Sequence, residues 1–144
     1  MDSERILELD RLAVENASQY NKKRFVFQEI EKTTGRPFVA LIGPRGVGKT
    51  VLLRQLRLQQ TDGLYISLDM LPRDTNLVEI IRYFSMQMGI SSFFIDEIHF
   101  TNMYEAALKE LYDFSSVKLW ITSSVALSLY SSAWDLSRRV VTSY

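Results

Sequence analysis

The chain has 144 residues, of which 47% are hydrophobic and 24% are charged, so it can form one domain with a substantial core but not two ordinary domains. Its 17 basic and 17 acidic residues give a formal net charge of zero, so the overall charge does not indicate binding to nucleic acid or to a membrane surface. The absence of cysteine excludes a disulfide framework and a thiolate metal site. Because a long apolar run and a signal-peptide pattern are also absent, we expect a cytoplasmic protein with no membrane partner.

The first part of the chain predicts two helices before any strand. Residues 3 to about 18 have the spacing of an amphipathic helix, with one side formed by Ile6, Leu9, Leu12 and Ala13. A second helix is predicted from about Lys22 to Lys32, and a turn at residues 33–37 follows it. We therefore divide the chain into N-terminal helices, residues 1–36, and a core, residues 37–144.

The core begins with a strand, a glycine-rich loop and a helix. The apolar run Phe38–Ile42 is typical of a strand covered on both faces, and an apolar-rich helix is predicted from Val51 to about Gln60. Between them, residues 43–50 read Gly-Pro-Arg-Gly-Val-Gly-Lys-Thr, which fits the G-x-x-x-x-G-K-[ST] pattern. This pattern in this context predicts that the chain binds the phosphates of a nucleotide.

Each residue type in the loop has a chemical task. Glycines let the backbone curl so that its N–H groups point at phosphate oxygens, and the helix that follows directs its positive end at the same oxygens. Lys49 supplies a positive charge for the β- and γ-phosphates, and the Thr50 hydroxyl can ligate Mg²⁺. The predicted nucleotide-binding residues are Gly43, Pro44, Arg45, Gly46, Val47, Gly48, Lys49, Thr50 and Val51.

A second strand and a capped helix follow. Leu64–Leu68 is an apolar run of strand length, and a helix is predicted from Leu77 to Met88. Asn76 is its expected N-cap, with Glu79 three residues later, and Gly89 is placed to end the helix in a left-handed conformation.

The remainder of the chain continues the alternation of strands and helices. Asn102, with Glu105 three residues later, predicts a capped helix that runs through Tyr112, and another helix is expected after Ser124. Further strands are predicted at Phe93–Ile95, Lys118–Thr122 and from Val140-Val141. Trp120, Trp134 and the phenylalanine and methionine residues at helical spacing are interpreted as core.

Strands that alternate with helices predict an α/β fold, namely a three-layer α-β-α sandwich around a mostly parallel sheet. Ligands of such sheets bind at the carboxyl ends of the strands. The phosphate loop, Asp96 and Thr122 all lie at predicted carboxyl ends, so we expect these three positions to meet at one edge of the sheet.

Paired carboxylates follow the third strand directly. Asp96 is expected to hold Mg²⁺ together with Thr50, and Glu97, one residue later, is the candidate general base for the attacking water. The alternative is that both acidic residues only cap the structure after the strand. The phosphate loop upstream favours the catalytic interpretation.

Several other polar residues are weaker candidates. One hydroxyl of Thr122, Ser123 and Ser124 is expected to sense phosphate or the attacking water, although Ser124 is equally suited to cap the next helix. His99 could sense the γ-phosphate, but a loop histidine packed beside Phe100 is the favoured interpretation.

A pair of arginines, at positions 138 and 139, precedes the last apolar residues. An arginine supplied in trans can stabilise transition-state charge in phosphoryl transfer. The alternative is a solvated basic pair at the end of a helix, which the residues alone favour.

These motifs resemble those of the AAA+ P-loop ATPases, and more closely those of bacterial and archaeal ATPases with an AAA domain and a poorly characterised C-terminal domain. The resemblance rests on the phosphate loop, Leu68-Asp69, the Asp-Glu-Ile-His at 96–99, the residues 122–124 and the Leu-Ser-Arg-Arg at 136–139. It favours Arg139 as an arginine finger and Thr122 as a catalytic sensor. Ser123 and Arg138 stand where this family tends to have glycine.

The resemblance implies ATP and Mg²⁺ as cofactors and ATP hydrolysis as the activity. ATP is preferred to GTP because the chain has no N-K-x-D guanine-reading motif. The family continues past the fifth strand into a helical lid and a C-terminal domain, so we expect a truncated core without its lid, with weak nucleotide binding and slow or absent turnover. A homo-oligomer of the full-length protein is a further expectation.

Two other functions remain as alternatives. The chain could be a nucleotide-switched module that binds a protein or DNA partner with little turnover. It could also be a small-metabolite phosphotransferase, although no acceptor-binding cluster is evident in the sequence.

Overall fold

The computed structural model of the chain describes residues 1–19, 38–43, 48–124 and 139–143, with the backbone alone for Ile42 and residues 139–143. Three sequence predictions lie outside this part of the chain: the second N-terminal helix, the helix after Ser124 and the core position of Trp134. Residues 44–47 of the phosphate loop also lie outside it.

Five parallel strands form one sheet in the order β2-β3-β4-β1-β5. The strands are β1 (Phe38–Ile42), β2 (Gly63–Ser67), β3 (Ser92–Asp96), β4 (Lys118–Ser123) and β5 (Arg139–Ser143). All five predicted strands are therefore confirmed, and β1 has its predicted bounds. The one residue that was assigned to a strand and lies elsewhere is Leu68, which begins a 3-10 turn, Leu68–Met70.

Four helices lie in the described part of the chain, together with a second 3-10 turn at Ile98–Phe100. They are α1 (Ser3–Ser18), α2 (Lys49–Leu58), α3 (Leu77–Met88) and α4 (Tyr104–Phe114). Helix α3 has its predicted bounds and its predicted caps. The Asn76 side chain accepts from the Glu79 N–H at 3.0 Å, and Gly89 ends the helix in the left-handed region at φ 68°.

The helices cover both faces of the sheet, which confirms the three-layer α-β-α sandwich. Side chains alternate between the faces along each strand, as the pleat requires. One core cluster joins α1 and α2 to one face, where the Phe94 and Trp120 rings stack with centroids 4.8 Å apart. The other cluster joins α3 and α4 to the opposite face, around Phe84, Phe93 and Leu108. The core position predicted for Trp120 is confirmed.

Helix α1 packs against α2 and against the edge strand β2. Its buried side is formed by Ile6, Leu9, Asp10, Ala13 and Ala17. Leu12, predicted on this side, is 43% exposed, so that prediction was wrong. Asp10 is buried in the same stripe because its Oδ1 accepts from the Tyr65 N–H of β2 at 2.7 Å, which gives a partner to a backbone donor at the sheet edge.

The predicted Asn102 cap of α4 was also wrong. The helix begins at Tyr104, after Met103, whose left-handed backbone at φ 56° makes no side-chain cap. The reason is a tertiary contact, because the Asn102 N–H donates to the carbonyl of Arg73 in a different loop at 3.1 Å. This bond turns the chain away from the conformation that a capping asparagine needs.

The methionines are not core residues, contrary to the sequence interpretation. All five are exposed, from 49% for Met88 to 79% for Met86, and Phe114 is 76% exposed. Burial in this fold is supplied by leucine, isoleucine and aromatic residues of the strands and of the inner helix faces. Among the residues that the structure describes, no helix has the length and apolar character needed to cross a membrane.

Candidate functional site

A polar cavity of about 440 Å³ opens at the carboxyl edge of the sheet. Its walls come from the first turn of α2 (residues 48–51), from Arg54, from the end of β2 with the turn after it, and from Asp96 and Glu97 after β3. The sheet order reverses at β1, which lies between β4 and β5, and this edge next to such a reversal is where parallel sheets bind ligands. Lys49, Thr50 and the acidic pair, predicted to meet, are brought together here.

The start of α2 provides both backbone and side-chain positive charge. Gly48 precedes the helix at φ 89°, a conformation that a residue with a Cβ rarely adopts. Lys49 is 4% exposed, and its Nζ donates to the Gly43 carbonyl at 2.6 Å. A buried ammonium needs such an acceptor. The contact holds the lysine against the carbonyl that follows β1, at the positive end of α2.

Thr50 and Asp96 meet in the same cavity. The Thr50 hydroxyl donates to Asp96 Oδ2 at 2.9 Å, and the Asp96 side chain is largely buried. Magnesium prefers hard oxygen ligands and usually binds through one or two carboxylates together with phosphate oxygens and water. A hydroxyl and a carboxylate adjacent to the helix end fit this requirement. In the described part of the chain no three acidic or histidine side chains are grouped as a metal site, so phosphates and water would complete the ligand set.

Two further hydroxyls hold the Asp96 carboxylate. Tyr65 donates to Oδ2 at 2.6 Å, and Thr122 donates to Oδ1 at 2.5 Å. Burial and the neighbouring Asp96 charge raise the pKa of Tyr65 far above its ordinary value, although the Arg54 guanidinium 5.1 Å from its ring acts in the opposite direction. The phenol therefore remains a hydrogen-bond donor at neutral pH.

Glu97 is oriented differently from Asp96 because its backbone is left-handed, with φ 57° and ψ 57°. This is an uncommon conformation for a residue with a long side chain. Its N–H donates to the Thr122 hydroxyl at 3.0 Å, and its Oε1 accepts from Ser124 at 2.7 Å. Because the Thr122 hydroxyl accepts from Glu97 and donates to Asp96, this one buried side chain sets the positions of both acidic residues.

His99 lies between Glu97 and β4. Its Nδ1 is 3.1 Å from the Ser123 hydroxyl, and its Nε2 is 3.2 Å from Glu97 Oε2. The second contact lacks the alignment of a hydrogen bond. The ring also packs beside Phe100, with centroids 4.7 Å apart, which confirms the favoured sequence interpretation. The sequence did not indicate that His99 joins the candidate base to β4.

The three hydroxyls at the carboxyl end of β4 thus have different surroundings. Thr122 is fully buried under the acidic pair, Ser123 contacts His99, and Ser124 binds Glu97. A sensing role for Thr122 stays a prediction, and its contacts are with the acidic residues of the chain itself.

Tyr65 and Arg54 are site residues that the sequence analysis did not identify. The sequence signal for Tyr65 was weak, namely one tyrosine in a strand that has no other aromatic residue. A buried tyrosine hydroxyl normally needs a polar partner, but nothing local indicates which one.

Arg139 lies at the opposite edge of the sheet. It starts β5 and pairs with Phe38, whereas the phosphate loop follows Ile42, which pairs with Ser143. Four residues of strand separate the two edges by roughly 13 Å, at about 3.3 Å per residue. The backbone of Arg139 is therefore remote from the carboxyl edge of the sheet, where the cavity opens.

The fold and the site together define an AAA-type P-loop domain of the ATPase-like, nucleotide-binding class. The parallel sheet, the glycine-preceded helix after β1 and the acidic pair after β3 are the features that define it. The model of the AAA domain family matches residues 35–144, so the chain belongs to this family.

Two individual proteins are also similar. The chain is 32% identical to the uncharacterised protein MJ1637 of Methanocaldococcus jannaschii over 146 residues, which cover 86% of the chain and 31% of the relative. It therefore spans about a third of the length of this curated relative. The solved structure of PCH-2 from C. elegans matches with a TM-score of 0.48 at 17% identity, over 99% of this chain and 42% of that one.

Proposed function

We propose that the chain binds ATP with Mg²⁺ and hydrolyses it, as the core of an AAA+ type P-loop ATPase. The observation that carries the proposal is the contact between the Thr50 hydroxyl and Asp96 Oδ2, 2.9 Å long, beside Lys49 at the start of α2. A cation ligand pair, a buried ammonium and a positive helix end in one cavity form a site for a triphosphate and its metal ion.

The residues would divide the work as follows. Lys49 would leave the neutral Gly43 carbonyl for anionic phosphate oxygens, so that both partners of its hydrogen bond carry charge. Thr50 and Asp96 would hold Mg²⁺, which would supply positive charge against the phosphates. Glu97, one residue beyond Asp96, orients the attacking water and accepts its proton. Phosphoryl transfer needs mainly positioning and charge stabilisation from the protein, and these four residues provide groups for both.

The first test is binding. Isothermal calorimetry with ATP and Mg²⁺ should give Mg²⁺-dependent binding to the wild-type protein and none to Lys49→Ala. Lys109→Ala is the matched control, because Lys109 is an exposed residue of α4 paired with Asp113. Absence of binding to the wild-type protein, or equal binding to Lys49→Ala, would contradict the proposal.

The second test is turnover. Glu97→Gln should keep ATP binding and lose phosphate release, because the amide retains the size of the side chain but cannot accept the proton. Glu110→Gln serves as the control, since Glu110 lies on α4 in an exposed pair with Arg82. Unchanged turnover in Glu97→Gln would remove Glu97 as the base.

A second function, a nucleotide-switched module that binds a protein or DNA partner, is favoured by one observation. The Glu97 carboxylate is tied to Ser124 and lies against His99, so the candidate base is held by the protein rather than free to act on water. This function predicts turnover slower than about one per minute, against typical enzyme rates of about 1 to 10³ per second. It also predicts faster phosphate release in Ser124→Ala. Fast turnover in the wild-type protein would exclude it.

The remaining parts of the proposal concern the surroundings of the domain. ATP chemistry favours a cytoplasmic location.

Arg139 would act in trans, from a neighbouring copy in a homo-oligomer, because its own cavity lies at the other edge of the sheet. Arg139→Ala should then lose turnover without losing ATP binding. Mixing this variant with a copy that lacks Glu97 but keeps Arg139 should restore turnover, and the two results together would support this assignment.

A further inference from the structure

The Asp96 carboxylate accepts a further hydrogen bond from a residue outside the recognised motifs. Tyr65 lies in β2, and its hydroxyl donates to Oδ2, the same oxygen that accepts from Thr50. Its ring is buried against the α2 side of the sheet, within the core cluster that contains Leu52 and Phe94. The hydroxyl is thus held at a fixed place beside the candidate metal ligand.

Helix α1 holds Tyr65 at two points. Asp10 accepts from the Tyr65 backbone N–H at 2.7 Å, and the same carboxylate pairs with Arg57. The Arg54 guanidinium lies 5.1 Å from the centroid of the Tyr65 ring, and Asn16 of α1 accepts from Arg54 at 2.9 Å. One end of the tyrosine is therefore anchored through the backbone and its ring through Arg54.

We propose that Tyr65 is a positioning residue for Asp96, and that α1, through Asp10 and Asn16, fixes the place of Tyr65 and so tunes Mg²⁺ affinity. The proposal rests on the proposed function, since it concerns the same metal site. It adds to the site a helix that precedes the region matched by the family model, residues 35–144.

The physical reason is the freedom of a carboxylate to rotate. Asp96 is held by Thr122 on Oδ1 and by Thr50 and Tyr65 on Oδ2. A Thr50 hydroxyl that directed a lone pair to a cation would keep its proton for Oδ2, and Tyr65 is a second donor that fixes the same oxygen. Hydrogen bonds to a ligating carboxylate orient it, and their loss typically lowers metal affinity about 10- to 100-fold.

The test is Tyr65→Phe, which removes the hydroxyl and leaves the ring to pack. Titration with Mg²⁺ in the presence of ATP, or with Mn²⁺ followed by electron paramagnetic resonance, should show affinity weaker by about 10- to 100-fold. ATP affinity in chelator should remain that of the wild-type protein, since the Tyr65 hydroxyl donates to the candidate metal ligand Asp96. Tyr83→Phe, on exposed Tyr83 of α3, is the matched control and should titrate like the wild-type protein.

A separate variant tests the contribution of α1 to Mg²⁺ affinity. Asn16→Ala removes the acceptor of Arg54 and should weaken Mg²⁺ affinity by roughly two- to tenfold, the worth of one ordinary hydrogen bond. In the Tyr65→Phe background the same change should have no further effect, because residues that act through one group are not additive. Glu15→Gln, in the exposed pair with Arg11, is the control on α1.

The outcomes separate the two proposals. A wild-type protein without Mg²⁺-dependent ATP binding would overturn both the proposed function and this inference. A wild-type protein that binds Mg²⁺ and ATP, with Tyr65→Phe equal to it in Mg²⁺ affinity, would overturn the inference alone. Additive effects of Asn16→Ala and Tyr65→Phe would overturn the role of α1.

Discussion

Replacing Asp10 by alanine should destabilise the fold strongly, because this one carboxylate has three donors. It accepts from Arg57 Nε and Nη2 at 2.8 and 2.9 Å, and from the Tyr65 N–H at 2.7 Å. The ion-pair side chains are only 13% and 15% exposed. Alanine would leave a largely buried guanidinium without its counter-charge and a strand-edge N–H without its acceptor.

The magnitude follows from these two losses. Removal of one partner from a buried ion pair costs about 3–5 kcal/mol, and the remaining exposure, together with the bond from Arg57 to the Gln60 carbonyl, favours the lower end. The orphaned N–H adds about 1 kcal/mol. We expect a total of about 4 kcal/mol, which is a fall in Tm of about 8–16 °C for a chain of this size.

Urea denaturation and thermal melting of Asp10→Ala and Asp10→Asn measure this cost. The asparagine retains an oxygen for the Tyr65 N–H, so it should be more stable than the alanine variant by about 1 kcal/mol. Glu15→Ala, which breaks an exposed pair on the same helix, should change stability by less than about 0.5 kcal/mol. If Asp10→Ala lost no more stability than Glu15→Ala, the result would contradict the anchoring of α1 to the sheet through Asp10.

Three further predictions concern stability. Burial and the Asp96 charge raise the pKa of Tyr65 above its ordinary value of about 10, so above about pH 10 the unfolded chain loses a proton that the folded chain keeps. Stability should then fall by up to about 1.4 kcal/mol per pH unit; denaturation at pH 9 and 11 should show this fall, and Tyr65→Phe should lack it, whereas parallel profiles would contradict the assignment. Gly89→Ala should cost about 1–2 kcal/mol from the left-handed backbone alone, since its added Cβ meets open space. Gly63→Ala should cost about 1–3 kcal/mol through a contact 3.0 Å from the Phe94 ring, and thermal melting of the two variants would detect either cost.

The strands and the reactive groups were predictable because their signals are local. An apolar run bounded by proline and glycine, as Phe38–Ile42 is, predicts a strand covered on both faces. The loop that leads to Lys49 and Thr50 follows one such run, Asp96 follows another, and parallel strands bring their carboxyl ends to one edge. The topology alone is enough to bring these three residues together.

The two predicted asparagine caps show where a local sequence pattern decides the start of a helix and where a tertiary contact does. Asn76 and Asn102 have the same pattern, with an acidic residue three positions later, yet only Asn76 caps a helix. The N–H of Asn102 is bound by the Arg73 carbonyl, and this contact joins two loops that are distant in sequence. A capping pattern is worth about 1 kcal/mol, so one tertiary backbone bond is sufficient to override it.

Burial of polar residues could not be predicted either, because it also depends on tertiary contacts. Asp10 lies in the buried stripe of α1, where it gives the edge of β2 an acceptor, whereas Leu12 is exposed. The contacts of His99 with Glu97 and Ser123 were not predicted, because these partners meet only when β4 pairs with β3. Their pairing depends on strand register, which no single segment of the sequence specifies.

Adjacent acidic residues acquire different tasks through the backbone between them. Asp96 ends β3, so the alternation of side chains directs its carboxylate to the α2 face, where Thr50 and Tyr65 donate to it. Glu97 leaves the strand with a left-handed backbone, at a cost of about 1–3 kcal/mol, and its carboxylate turns to Ser124 instead. The buried Thr122 hydroxyl supports this turn because it binds the Glu97 N–H and Asp96 together. That one strained residue gives the proposed metal ligand and the proposed base different surroundings, so the two carboxylates are not equivalent.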